Sequence, residues 1–125
     1  MNVLLVALGG AIGSAARYLA GAFIANYFGP DFPWGTFIVN VTGSFLIGVI
    51  LSFVGGGQLP AGARPFLAIG IMGGYTTFST YSHETLQLIQ GGEFGAATFN
   101  TLGQVVAGLV GVYLGVVVGR ALGGT

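Results

Sequence analysis

Seven side chains other than tyrosine carry a titratable group, Arg17, Asp31, Arg64, His83, Glu84, Glu93 and Arg120, and the stretches between them are too apolar and too long for a water-soluble chain. A helix needs about 20 such residues to cross a hydrocarbon core about 30 Å thick. Four stretches meet that length: about Asn2 to Tyr27, Trp34 to Val54, Ala63 to Gln90, and Phe94 to Gly119. The breakers between them are Gly29-Pro30-Asp31-Phe32-Pro33, where two prolines and an aspartate make a turn, and Gly55-Gly56-Gly57. Charged residues are 5% of the chain, against about a quarter in soluble domains, and 54% are hydrophobic. The expectation is one all-α transmembrane domain over residues 1–125, with the start of the chain read as the first membrane helix and Trp34 as an interfacial anchor.

The same inventory excludes several functions. With no lysine and zero formal net charge there is no basic face for nucleic acid or anionic lipid heads. Cysteine is absent, and a lone histidine without nearby carboxylate pairs builds no metal site. No nucleophile, base and orienting group can be assembled, so an enzyme is not expected.

The polar residues inside the spans therefore carry the information. Arg17 lies two-thirds of the way along span 1, where a guanidinium costs about 2.5 kcal/mol or more at mid-bilayer. It shares a stripe with Gly9, Gly13 and Gly21 at fourfold spacing, on the face that packs closest to neighbours. Two readings stand: an arginine reaching back to the interface, or a fixed positive charge at the mouth of an anion path.

In span 2, Thr36, Asn40, Ser44, Gly48 and Ser52 form a small, polar seam. Ser44, Gly48 and Ser52 read as helix packing, whereas Asn40 buries two donors and two acceptor sites that few residues here could satisfy. Span 4 shows Gly103, Ala107, Gly111, Gly115 and Gly119 at the same spacing, a face for close helix contact, with Asn100, Thr101 and Gln104 as candidates for one pore mouth.

Span 3 holds the most unusual stretch, Gly73-Gly74-Tyr75-Thr76-Thr77-Phe78-Ser79-Thr80-Tyr81-Ser82. Irregular backbone at membrane depth survives only where protein or a wet cavity covers it. The expectation is a break at Gly73 and Gly74, which turns the Gly73 and Thr76 carbonyls outward as ligands for a hard cation, with a new helix starting at Thr76 or Thr77 as N-cap. The alternative is an unbroken helix packed through both glycines. Phe78 and Tyr81 share a face, with Glu84 one step further along, and aromatics at that spacing are either core packing or ring edges offered to an anion. His83 reads as an exposed interface residue.

Three motifs, Gly9-Gly10 through Arg17-Tyr18, Gly35-Thr36 with Val39-Asn40 and Gly43-Ser44-Phe45, and Gly73-Gly74 with Thr76 through Thr80, together resemble the CrcB/Fluc family of small fluoride channels. The resemblance implies a fluoride-selective passive channel in a prokaryotic inner (plasma) membrane that exports cytoplasmic fluoride and relieves its toxicity. It implies four transmembrane helices per subunit with the glycine break in helix 3, and an antiparallel dual-topology homodimer. The implied ion path runs past Asn40, Phe78, Ser79, Thr80 and Tyr81, with Arg17 at a wide vestibule and a structural sodium ion held at the dimer interface by the Gly73 and Thr76 carbonyls. Tyr81 departs from the family's usual phenylalanine, and helix 4 lacks the arrangement of a tyrosine and serines that the family often offers there. Arg64 and Arg120 lie on the side of both termini, which predicts termini inside, while the resemblance implies subunits inserted both ways.

Two rivals are a small multidrug-type dual-topology exporter and a non-transporting membrane assembly subunit. The first needs a carboxylate, usually in helix 1, where this chain has Arg17. The second gives its polar residues no reason to cluster at a helix break. Four helices alone fill their own core, so a channel here requires a second copy.

Overall fold

A computed structural model describes residues 2–125, so Met1 lies outside the described residues. Among them the structure is all helical, without strands. Helix α1 spans Asn2–Phe28 and α2 spans Trp34–Gly55. Helix α3 is a π-helix over Arg64–Met72 that continues as one α-helical turn, Gly73–Tyr75. Helix α4 spans Phe78–Gln90 and α5 spans Phe94–Ala121. The turns after α1 and α4 need left-handed backbone, supplied by Gly29 (φ 87°) and Gly92 (φ 77°). Helices α1, α2 and α5 are each long and apolar enough to cross a membrane.

Two close seams hold the helices together. Along the first, α2 meets α5: a methyl group at Gly48 would lie 3.1 Å from Gly115 Cα, and one at Gly111 would lie 3.1 Å from the Val41 carbonyl oxygen. Gly119 faces Ser52, so the small residues of spans 2 and 4 interlock. Along the second, α1 meets α3: a methyl at Gly13 would lie 2.9 Å from the Ile71 carbonyl carbon, and one at Gly70 would lie 2.9 Å from Gly9 Cα. Backbones approach this closely only without side chains between them, and the many contacts so made supply the attraction that lipid tails withhold.

The buried apolar core is small, with Val39, Ala68, Met72, Leu88 and Ala97 among its members. Large apolar side chains instead point outward, including Val3, Leu8 and Phe23 on α1 and Val106, Leu109 and Tyr113 on α5. That inversion suits a chain whose solvent is hydrocarbon.

The break in span 3 is displaced from the expected position. Gly73 keeps helical backbone (φ -62°, ψ -37°), and Gly74 continues the helix. The chain turns extended at Thr76 (φ -88°, ψ 158°) and Thr77 (φ -151°, ψ 117°). Gly74 serves the seam, where a methyl would lie 3.2 Å from Gly10 Cα, whereas one at Gly73 would meet open space. The two threonines can leave the helix because partners wait for the backbone groups they release, as the site geometry makes plain.

Candidate functional site

Thr77 is the N-cap of α4, and its hydroxyl accepts the Thr80 N–H at 3.3 Å. The same hydroxyl donates to Thr80 Oγ1 at 3.2 Å, which leaves the Thr80 proton free for another acceptor. Asn40 of α2 grips the remaining polar groups of Thr77. Its Oδ1 accepts the Thr77 N–H at 2.8 Å, and its Nδ2 donates to the Thr77 carbonyl at 3.1 Å. A carboxamide thus imitates the ladder that the chain abandons there.

The second Nδ2 proton of Asn40 goes to Gln104 Oε1 of α5 at 2.8 Å. Both Nδ2 protons are therefore engaged within the subunit, and Asn40 here is a staple of the break.

These bonds have a consequence for two carbonyls. The Thr77 N–H, which a continuous helix would send to the Gly73 carbonyl, goes to Asn40. The Thr80 N–H, which would reach the Thr76 carbonyl, goes to the Thr77 hydroxyl. Gly73 and Thr76 are thus among the four residues, Gly73 to Thr76, whose carbonyls lose their regular helical donors at the break, although neither glycine breaks the helix. The intervening Gly74 carbonyl accepts Arg17 Nε at 3.0 Å.

Two cavities flank the break and both touch Thr77. One, of about 320 Å³, is lined by Asn40, Gly73, Thr76, Phe78, Tyr81 and Gln104 among others. The other, of about 630 Å³, takes in Arg17, Thr36, Thr80 and Glu84. The five residues assigned to one path are therefore divided: Asn40, Phe78 and Tyr81 lie on one side and Thr80 on the other. Ser79 is exposed, 3.4 Å from the Thr77 hydroxyl. Arg17 lines the wider cavity, which extends to the loop residues Gly29 to Pro33.

Phe78 and Tyr81 have ring centroids 5.6 Å apart at 48°. Phe78 is 77% exposed, so its ring is not core packing within the subunit. The Tyr81 hydroxyl donates to the Thr101 carbonyl of α5 at 2.8 Å, which ties α4 to α5. His83 is exposed.

The pore-mouth candidates on α5 divide as well. Gln104 lines the smaller cavity, but Asn100 is fully buried between helices and lines no mouth. Its Nδ2 donates to Thr85 Oγ1 at 2.9 Å. The role of Thr85 was not readable in advance, although the two carboxamides one turn apart in an apolar helix were a visible signal.

Residues 4–116 match the family described as CrcB-like protein, Camphor Resistance (CrcB). A protein of Thermus thermophilus named fluoride-specific ion channel FluC is 51% identical over 121 residues, covering 97% of this chain and 95% of its own. Proteins of the same name from Nitrobacter winogradskyi and Anaeromyxobacter sp. strain K are 47% and 46% identical, covering 96% and 98% of this chain and the same shares of their own.

Proposed function

The chain belongs to the CrcB family, and on that premise we propose that it is a fluoride-selective passive ion channel, a multi-pass membrane protein without enzymatic activity. The observation that carries the reading is the pair of cavities meeting at Thr77, in a chain half identical to proteins named for fluoride conduction. A small, tightly hydrated anion needs closely placed donors and ring edges where its water is stripped. The Thr80 and Ser79 hydroxyls and the exposed edge of Phe78 supply these, with Tyr81 and the Asn40 amide as walls. Arg17 places a positive charge in the wider cavity, whose lining also carries the carboxylates of Asp31, Glu84 and Glu93.

In this reading α3 and α4 together make the third of four crossings, and the protein works as an antiparallel dual-topology homodimer in a prokaryotic inner membrane. A second copy is favoured by Phe78: a large ring beside the proposed path is 77% exposed in one subunit, and only another surface can make that path narrow. Hydrogen fluoride would enter from acidic surroundings, dissociate, and fluoride would leave down its gradient. No coupling is needed.

The Gly73 and Thr76 carbonyls fit a hard cation such as sodium, since both lack their helical donors and both line the smaller cavity. A bound sodium ion would supply fixed charge and a structural tie between copies. Each subunit would offer its pair of carbonyls.

Fluoride efflux from proteoliposomes, followed with a fluoride electrode after adding a potassium ionophore, tests the function, with chloride efflux measured in parallel. Rapid fluoride release with negligible chloride release is expected. Equal release of both ions, or no fluoride release from folded dimers, would reject it.

A further inference from the structure

Asn100 and Gln104 are 0% and 7% exposed, one turn apart on α5, and their bonds form one directed line. The Thr77 N–H donates to Asn40 Oδ1, and Asn40 Nδ2 donates to Gln104 Oε1, each at 2.8 Å. Gln104 Nε2 donates to Asn100 Oδ1 at 2.9 Å, and Asn100 Nδ2 donates to Thr85 Oγ1 at 2.9 Å. Thr85 Oγ1 then donates to the Tyr81 carbonyl at 2.8 Å. The line leaves the break at Thr77, crosses α2 and α5, and returns to α4.

Its direction is set at both ends by groups that cannot reverse. A backbone N–H only donates, and a backbone carbonyl only accepts. Between those fixed ends, each of three carboxamides has one orientation that satisfies both neighbours. A turned amide anywhere would set oxygen against oxygen or nitrogen against nitrogen, which is costly where water does not reach.

We propose that Gln104 and Asn100 are positioning residues of the ion path: they lock the Asn40 amide in the one orientation that staples Thr77, and so hold the break in a single geometry. The proposal rests on reading the break as that path. Neither residue need touch an ion, and both act through Asn40. A mere packing role would differ, because it would not require the effects of Gln104 and Asn40 to be shared.

Gln104→Met keeps the side chain's length but has no amide. The test follows amide hydrogen exchange in nitrogen-15-labelled protein alongside proteoliposome fluoride efflux. Exchange at Thr77 should rise about tenfold, the size of one lost buried hydrogen bond, with α1 protection unchanged. Fluoride efflux should fall by a similar factor. Asn40→Ala combined with Gln104→Met should lose no more than the worse single variant, because the two act as one unit.

Unchanged Thr77 exchange in folded Gln104→Met, or multiplied losses in the double variant, would overturn the proposal. If Gln104→Met does not fold, Thr85→Val cuts the far end of the line with little change of shape. A smaller rise at Thr77 is then expected, and no rise would be equally fatal. Wild-type protein that passes no fluoride would reject the channel reading, while Thr77 exchange would still decide the line of bonds.

Discussion

The two halves of the broken third span adhere to the bundle by opposite means. Helix α3 lies against α1 largely through bare backbone, with Gly70 meeting Gly9, Gly74 meeting Gly10, and Gly13 meeting the Ile71 backbone. Helix α4 is held by side-chain hydrogen bonds, Tyr81 to Thr101, Thr85 to Asn100, and Asn40 to Thr77 just ahead of it. One half depends on shape and the other on donors and acceptors. A shape-bound half tolerates few added atoms along its seam, and its side-chain bonds are confined to its last turn, Arg17 to the Gly74 carbonyl and Thr42 with Tyr75. A donor-bound half can leave a ring such as Phe78 facing outward and keep cavities on its flanks. Rigid anchoring and a polar path are thereby separated within a single span.

The contrast is broken most severely by Gly13→Val. The added carbon atoms would overlap the α3 backbone at Ile71, and a cost of about 3 kcal/mol is expected, near the top of the range for overpacking. Thermal unfolding and the yield of monodisperse protein in detergent check it. An unchanged melting temperature would mean the seam is looser than it looks.

Asn40→Asp should cost about 1–3 kcal/mol, because it removes both Nδ2 donors and leaves the Thr77 carbonyl and Gln104 Oε1 without their partner. Fluoride efflux should fall as well, since a carboxylate beside the break repels the anion. Full efflux from this variant would remove Asn40 from the path.

A milder probe of the donor-bound half is Tyr81→Phe, which deletes only the bond to Thr101. A loss of about 0.6 kcal/mol is expected, typical for a hydrogen bond between membrane helices, with fluoride efflux retained. Loss of efflux in a stable Tyr81→Phe dimer would give the hydroxyl a part in conduction.

Phe78→Ile should change stability least, since the ring is largely exposed in the subunit, yet should abolish fluoride efflux with the dimer intact. Chemical unfolding and efflux measured on one preparation would show the two effects parting. Normal efflux would take Phe78 out of the path.

The periodic features of the chain were legible without coordinates. Gly111, Gly115 and Gly119 announce a close-packed face through their spacing alone, and the structure sets them against Ser52 and its neighbours on α2. The same logic misplaced the break. Glycines permit irregular backbone, but both stay helical here, and at Gly74 smallness is spent on the contact with α1, which spacing in span 3 by itself does not reveal. Arg17 was readable as an intramembrane charge, whereas its bond to the Gly74 carbonyl depends on residues 57 positions apart.

From composition and order alone, the chain had to be helical and embedded in lipid: few charges interrupt its apolar spans, and lipid leaves backbone polar groups no partner outside the helix. Small residues at fourfold spacing likewise had to form faces of close approach. Only the tertiary structure decided that the chain breaks at Thr76 and Thr77, that Asn40 closes the break, and that Gln104 and Asn100 continue its bonds to Thr85. Helical periodicity is a property of neighbours along the chain. Satisfying a buried donor depends on which distant acceptor the folded helices bring within 3 Å or so of it.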